Sequence, residues 1–234
     1  GWTMTFTLIA IDRETGELGI TSASCWPALG GLVPRFRPGV GVVATQNFSN
    51  LMMAETMLDE LARLPAGDHP GHLGASISSF KPAVRQYGYA TFRGHLFGWT
   101  GDECTGIKGH LADDQCVAIG NTLASEDVLS AMVERFTSTR GPLADRLLSA
   151  LMAGQAMGGD ARGPMAACLN VWSPNYPDGD ECPIDFRVDL HDAPVQALTE
   201  IMTEYRAQPR PMVWRPDPIT IDDKKCPRIK PVSE

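Results

Sequence analysis

The chain has 234 residues, 43% of them hydrophobic and 21% charged, enough to bury about 70% of its unfolded surface in one large core, which excludes a disordered chain. Lys and Arg number 20 against 28 Asp and Glu, a formal charge of -8 that repels a phosphate backbone; the most basic stretch, Lys224 to Lys230, follows Asp222 and Asp223, so no nucleic-acid partner is expected. No apolar run reaches about 18 residues and no basic segment followed by an apolar stretch opens the chain, so neither a membrane span nor a secretory signal is expected and the expected compartment is the cytoplasm.

Thr5 to Ile11 alternates in the manner of a strand, Asp12 to Gly16 has turn chemistry, and Glu17 to Cys25 resumes the extended pattern, which predicts a hairpin. Pro27 to Pro38 reads as a Gly/Pro-rich connection, and Gly39 to Gln46 as a buried strand whose glycines permit close backbone approach. Ser49 or Asn50 then caps a helix from Leu51 to Leu64, stopped by Pro65 and Gly67. A weaker helix is predicted over His72 to Phe80. Strands follow at Tyr87 to Phe92 and His95 to Thr100, and a short one at Gln115 to Gly120. Ser125 opens a helix with the stripe Val128, Leu129, Met132, Val133, Phe136; Pro142 opens the next, which Gly154 is placed to end. Strands at Ala166 to Trp172 and Ile184 to Leu190 precede a last helix from Ala193 to Arg206.

This order, strands and helix pairs grouped rather than strictly alternating, is α+β and fits two packed sheets covered by helix layers. One domain is expected over residues 1–208. Residues 209–234, with six prolines and mixed charges, are expected to form an extended tail. Six cysteines at irregular intervals contain no C-x-x-C pair and are read as free thiols. Among the five histidines only His69 and His72 form an H-x-x-H pair, in a turn-like run that serves either a metal or the solvent.

The common catalytic motifs are absent: no G-x-S-x-G elbow, P-loop, dinucleotide fingerprint or H-E-x-x-H. Position supplies the candidates. Thr5 follows Met4 at the start of the first strand, and removal of a methionine before a small residue would expose an N-terminal threonine. Such a residue carries nucleophile and base together, since a free α-amine has a pKa of about 7.7–8.0; otherwise Thr5 is a strand-favouring residue at an edge. Asp160 and Arg162, in the glycine-rich Gly158 to Gly163, either orient a nucleophile and clamp a carboxylate or pair with each other. Asn121 after Gly120 is either an amide donor for an oxyanion or a turn residue.

Several segments together resemble one family: Met4 to Ala10 (MTFTLIA), Thr15 to Gly19 (TGELG), Gly39 to Gln46 (GVGVVATQ), Arg85-Gln86, Gly120-Asn121, Gly141 to Leu148 (GPLADRLL), and Gly158-Gly159-Asp160 with Arg162-Gly163. From about Met4 to Tyr205 the chain is similar to the DUF1028 domain family, bacterial proteins placed in the N-terminal nucleophile (Ntn) hydrolase superfamily. The resemblance implies a four-layer αββα sandwich of two mainly antiparallel sheets and hydrolysis of an amide C–N bond by the leading threonine, without a cofactor. It implies Thr5 as nucleophile and base, Asn121 as oxyanion donor, and Asp160 and Arg162 as orienting or substrate-binding groups. Ser24, Arg37, Thr45 and Gln46 are expected to line the pocket, with Ser22 and Arg35 in the matching stretches. The chain departs from the family pattern at Ser24-Cys25, where Ser-Arg is frequent, and at Gly163-Pro164-Met165-Ala166, where Gly-Arg-Gln-Ser is frequent. While Gly1 to Met4 remain attached, the Thr5 nitrogen is an amide and has no base function.

Three functions compete on this reading. The first is an amidohydrolase acting through an acyl-enzyme on Thr5 upon a small amide, ureido or peptide-like substrate, with homo-oligomers expected. The second is a binding or assembly protein that keeps the fold without the chemistry. The third is a metal-dependent hydrolase built on His69 and His72.

Overall fold

A computed structural model describes residues 5–159, 163–177 and 184–207. Among the described residues ten strands form two antiparallel sheets. The larger runs β10(Ile184–Val188), β9(Ala166–Trp172), β2(Leu18–Ser24), β1(Thr5–Ile11), β8(Cys116–Leu123), β7(Ile107–Ala112); the smaller runs β3(Pro34–Arg37), β4(Gly41–Gln46), β5(Gln86–Thr91), β6(Leu96–Thr100). The described helices α1(Leu51–Arg63), single-turn α2(Gly74–Ile77), α3(Asp127–Ser138), α4(Leu143–Ala156) and α5(Pro194–Ala207) cover the outer faces.

The layering follows from strand parity. In β1, Phe6, Leu8 and Ala10 pack with Met132, Phe136, Leu147 and Leu151 of α3 and α4, while Ile9 and Ile11 face the second sheet and meet Val42, Ala44 and Ala90. Every residue of β1 and β2 is therefore buried, as middle layers require. On the far side Val43, Tyr87 and Tyr89 pack on Met53, Met57, Leu58 and Leu61 of α1. The result is the αββα sandwich that the resemblance implies.

Local chemistry explains most of the elements. Asp12 Oδ1 accepts from the backbone N–H of Glu14 and Thr15 at 2.9 and 3.2 Å, and Gly16 at φ 76° closes the β1–β2 hairpin. Asn50 Oδ1 accepts from Met53 N at 2.8 Å and caps α1. Between the sheets, Gly98 lies where a Cβ would come within 2.6 Å of Val117 Cγ2, so the sheets close tightly there.

Three local expectations are corrected. The segment read as a Gly/Pro-rich connection contains an edge strand, β3, and opens it with Pro34, which is tolerated because an edge strand has N–H positions that need no partner. β7, which no pattern announced, is an edge strand of the larger sheet; it is largely exposed and shifts register between Ile107 and Gly109, so it shows no alternation. Gly154 does not end α4, which runs on to Ala156. It is a packing position, where a Cβ would lie 2.8 Å from Met132 Cγ and 3.3 Å from Phe6 Cδ2, and Gly158 and Gly159 carry the left-handed conformations that follow the helix. Residues 209–234, read as a tail, lie outside the described residues, as do Asp160 and Arg162.

Candidate active site

At one end of the inter-sheet core the apolar side chains give way to hydroxyls and amides. Thr5 and Thr7 of β1, Ser22 and Ser24 of β2, Gln46 of β4, Gln86 of β5 and Asn121 of β8 are all buried. Register brings them together: Thr5 is paired with Ser24 on one side and Asn121 on the other, and Gln46 is paired with Gln86 across the second sheet. The same parity that sends Ile9 and Ile20 between the sheets sends Thr5, Thr7, Ser22 and Ser24 there.

Thr5 Oγ1 donates to Ser24 Oγ at 3.2 Å, and Ser24 Oγ also accepts from Trp26 N at 3.1 Å. One layer deeper, Thr7 Oγ1 donates to Gln46 Oε1 at 2.6 Å and lies 2.6 Å from Ser22 Oγ. Gln46 Nε2 donates to Gln86 Oε1 at 2.8 Å and to the Thr5 carbonyl at 3.4 Å. Asn121 Nδ2 donates to Gln86 Oε1 at 3.1 Å. Gln86 Nε2 faces Thr100 Oγ1, Gly109 O and Gly120 O at 2.8, 2.9 and 2.8 Å. Thr100 Oγ1 in turn lies 3.0 Å from His110 Nδ1, and burial holds the His110 pKa below the ordinary histidine value. The described partners around the head of β1 are thus hydroxyls, amides and backbone groups, with the His110 imidazole at the far end of the chain of contacts.

Left-handed residues lie at the cluster ends of β4 and β8. Asn47 after β4 has φ 69° and Thr122, next to Asn121, has φ 48°, a conformation rare for a β-branched side chain. Thr105 joins them, its hydroxyl donating to Asn47 Oδ1 at 3.2 Å and lying 2.9 Å from Thr122 Oγ1.

Of the residues expected at a site, the structure gathers Thr5, Ser24, Gln46 and Asn121. It does not bring Arg37 or Thr45 to them. Thr45 has the opposite parity to Gln46 and faces α1, its hydroxyl accepting from Asn50 N at 3.2 Å. Arg37 lies beside Gly41, at the other end of β4, about 16 Å of strand away from Gln46. Its guanidinium donates to Asp59 and Glu55 of α1, both at 2.7 Å, and those bonds raise its pKa. Arg35, on the same face of β3, also approaches Glu55. Gln86 and Thr7 lie in segments that carry the family resemblance but are not among the site residues expected from sequence; the further signal was a glutamine heading a strand otherwise rich in aromatics. The described residues flanking Asp160 and Arg162 lie near β8 and β2: Gly159 O accepts from Ala124 N, and Met165 N donates to Ser24 O at 2.7 Å.

The histidines of the H-x-x-H pair point to different partners. His72 Nδ1 is 2.7 Å from the Tyr87 hydroxyl, and the His69 ring meets His95 at 5.5 Å. Among the described residues no three His, Cys, Asp or Glu side chains are gathered as a metal would require, and no helix is long and apolar enough to cross a membrane.

Residues 5–198 match the model of a family of unknown function, DUF1028. The chain belongs to the DUF1028 family. A crystal structure of a member, protein SPO2555 from Silicibacter pomeroyi, is similar at a TM-score of 0.73 and 30% identity over 86% of this chain and 88% of that one. Anbu (ancestral beta-subunit) from Yersinia bercovieri is matched at a TM-score of 0.41 and 13% identity over 88% and 98%, a likeness too remote to bear on chemistry or assembly. No curated protein matches the chain.

Proposed function

We propose that this DUF1028 protein is an N-terminal-nucleophile amidohydrolase, in which Thr5 is the nucleophile and its own α-amine, freed by removal of residues 1–4, is the base. One observation carries the reading: a threonine hydroxyl at the head of a strand paired on both sides, buried, with the Ser24 hydroxyl and not a base as its described side-chain partner. A hydroxyl so placed needs a base from elsewhere, and an α-amine on the same residue, with a pKa of about 7.7–8.0, is partly neutral at pH 7. The Thr5 oxygen bonds to the substrate carbonyl carbon while its proton passes to the amine. The C–N bond then breaks as that proton goes to the leaving nitrogen, and water hydrolyses the resulting ester with the amine again as base. Ser24 accepts the resting hydrogen bond of the hydroxyl. The substrate class is a small amide, ureido or peptide-like compound, and Asp160 and Arg162 keep their proposed role as orienting or carboxylate-binding groups.

The test is the intact mass of protein expressed from Met4, before and after treatment with a β-lactone. The expected result is a chain beginning at Thr5 that gains one adduct, absent from Thr5→Ala, whose melting temperature stays within a few degrees of the parent. An adduct that survives in Thr5→Ala, or none on a chain that begins at Thr5, overturns the reading. The burial of Thr5, 4% exposed, favours the second reading, a binding protein without the chemistry, which expects no adduct in any processing state.

A further inference from the structure

Asn121 is the member of the network with a stranded polar atom. Its Oδ1 is shut away from solvent and accepts no hydrogen bond among the described residues, an arrangement that costs free energy unless a donor arrives. The direction of this amide is set by its neighbours. Gln86 Nε2 faces two backbone carbonyls, Gly109 O and Gly120 O, which only accept, so the nitrogen of Gln86 must lie there and Oε1 must lie opposite. Oε1 receives Gln46 Nε2 and Asn121 Nδ2. Turning the Asn121 amide would set acceptor against acceptor, so its nitrogen is held toward Gln86 and Oδ1 is the end left over.

Thr5 is the cross-strand neighbour of Asn121 on β1, and directly opposed residues of an antiparallel pair hold their Cβ atoms about 4.5–5.5 Å apart. The Thr5 hydroxyl hydrogen is already directed at Ser24. Losing the leader replaces the single amide N–H of Thr5 with an α-amine, which has at least one more N–H to give. We infer that Asn121 Oδ1 accepts a hydrogen bond from the freed α-amine of Thr5, which makes Asn121 the positioning residue of the base, in place of the oxyanion donor expected from sequence. The inference rests on the reading of Thr5 as a residue with a free amine. Held by one N–H, the amine keeps its lone pair for the Thr5 hydroxyl proton, and the ammonium formed by that transfer lies against a carbonyl dipole, which favours the charged form.

The experiment titrates the Thr5 amine directly, by the 13Cα shift of Thr5 in protein beginning at that residue, in the parent, Asn121→Leu and Asn121→Asp. Asn121→Leu removes the acceptor at similar volume and is expected to lower the midpoint by about one unit. Asn121→Asp keeps an oxygen in place and is expected not to lower it. A midpoint in Asn121→Leu equal to the parent's overturns the proposal, and so does a fall in Asn121→Asp, which alone suffices should the Leu variant fail to fold. An oxyanion donor would leave the titration unmoved. Acylation by the β-lactone in the same samples tests the nucleophile separately: a shifted midpoint without an adduct sinks the hydrolase and supports the contact.

Discussion

A glutamine amide offers two N–H groups and two lone pairs, and Gln86 spends all of them inside the protein. Its nitrogen serves Thr100, Gly109 and Gly120, and its oxygen receives Gln46 and Asn121, so one side chain ties β6, β7 and β8 to β4 at the level of Thr5. Gln86→Leu would take a donor from one buried carbonyl, Gly120 O, and one partly buried, Gly109 O, and free the amides of Gln46 and Asn121 to turn. The expected cost is about 3 kcal/mol, from one to two unsatisfied groups, read as a lower urea midpoint at unchanged slope. A change below about 1 kcal/mol would mean that water enters and replaces the amide.

At the scale of elements, α4 meets β1 and α3 through a notch at Gly154. Alanine gains up to about 1 kcal/mol over glycine inside a helix, yet here its methyl would press on Met132 and Phe6, and overpacking of this kind costs about 1–3 kcal/mol. Gly154→Ala is therefore expected to destabilise the protein by about 1–2 kcal/mol in thermal or urea unfolding, whereas a gain in stability would show that the helix shifts freely. The same position shows what sequence can and cannot convey. The hairpin, α1 and α3 were legible because turn residues, a capping side chain and apolar spacing are local signals. Gly154 looked like a helix stop because spacing does not reveal what stands opposite, and β3 and β7 were silent because edge strands need neither burial nor alternation. In the site, Thr5 and Asn121 were legible as residues at strand ends. Thr45 falls away from the cluster because adjacent residues cannot share a strand face and Gln46 takes the inner one, and Arg37 because pairing sets it beside Gly41, at the far end of β4.

For the molecule as a whole, the histidines set a sign for acid sensitivity. Burial lowers the pKa of His110, and burial first, then the charges of His69 and Arg93, lowers that of His95. A histidine depressed in the folded state binds its proton first in the unfolded one, so its stabilising contribution is present above about pH 6.5 and is lost as pH falls through the folded value. The melting temperature is expected to drop between pH 7 and pH 5, and His110→Asn to flatten that drop; an identical slope in the variant would assign the acid sensitivity to other groups.

The pairing of Thr5 with Asn121 also sets a schedule. The partner strand of β1 follows more than a hundred residues later in the chain, which at about 5–20 residues per second leaves a growing polypeptide waiting roughly 6–23 s for it. During that interval the amino end has met β2 alone, and β8 and β9 have yet to arrive. A trimming enzyme that works on the nascent chain therefore meets Thr5 while one side of β1 is still unpaired.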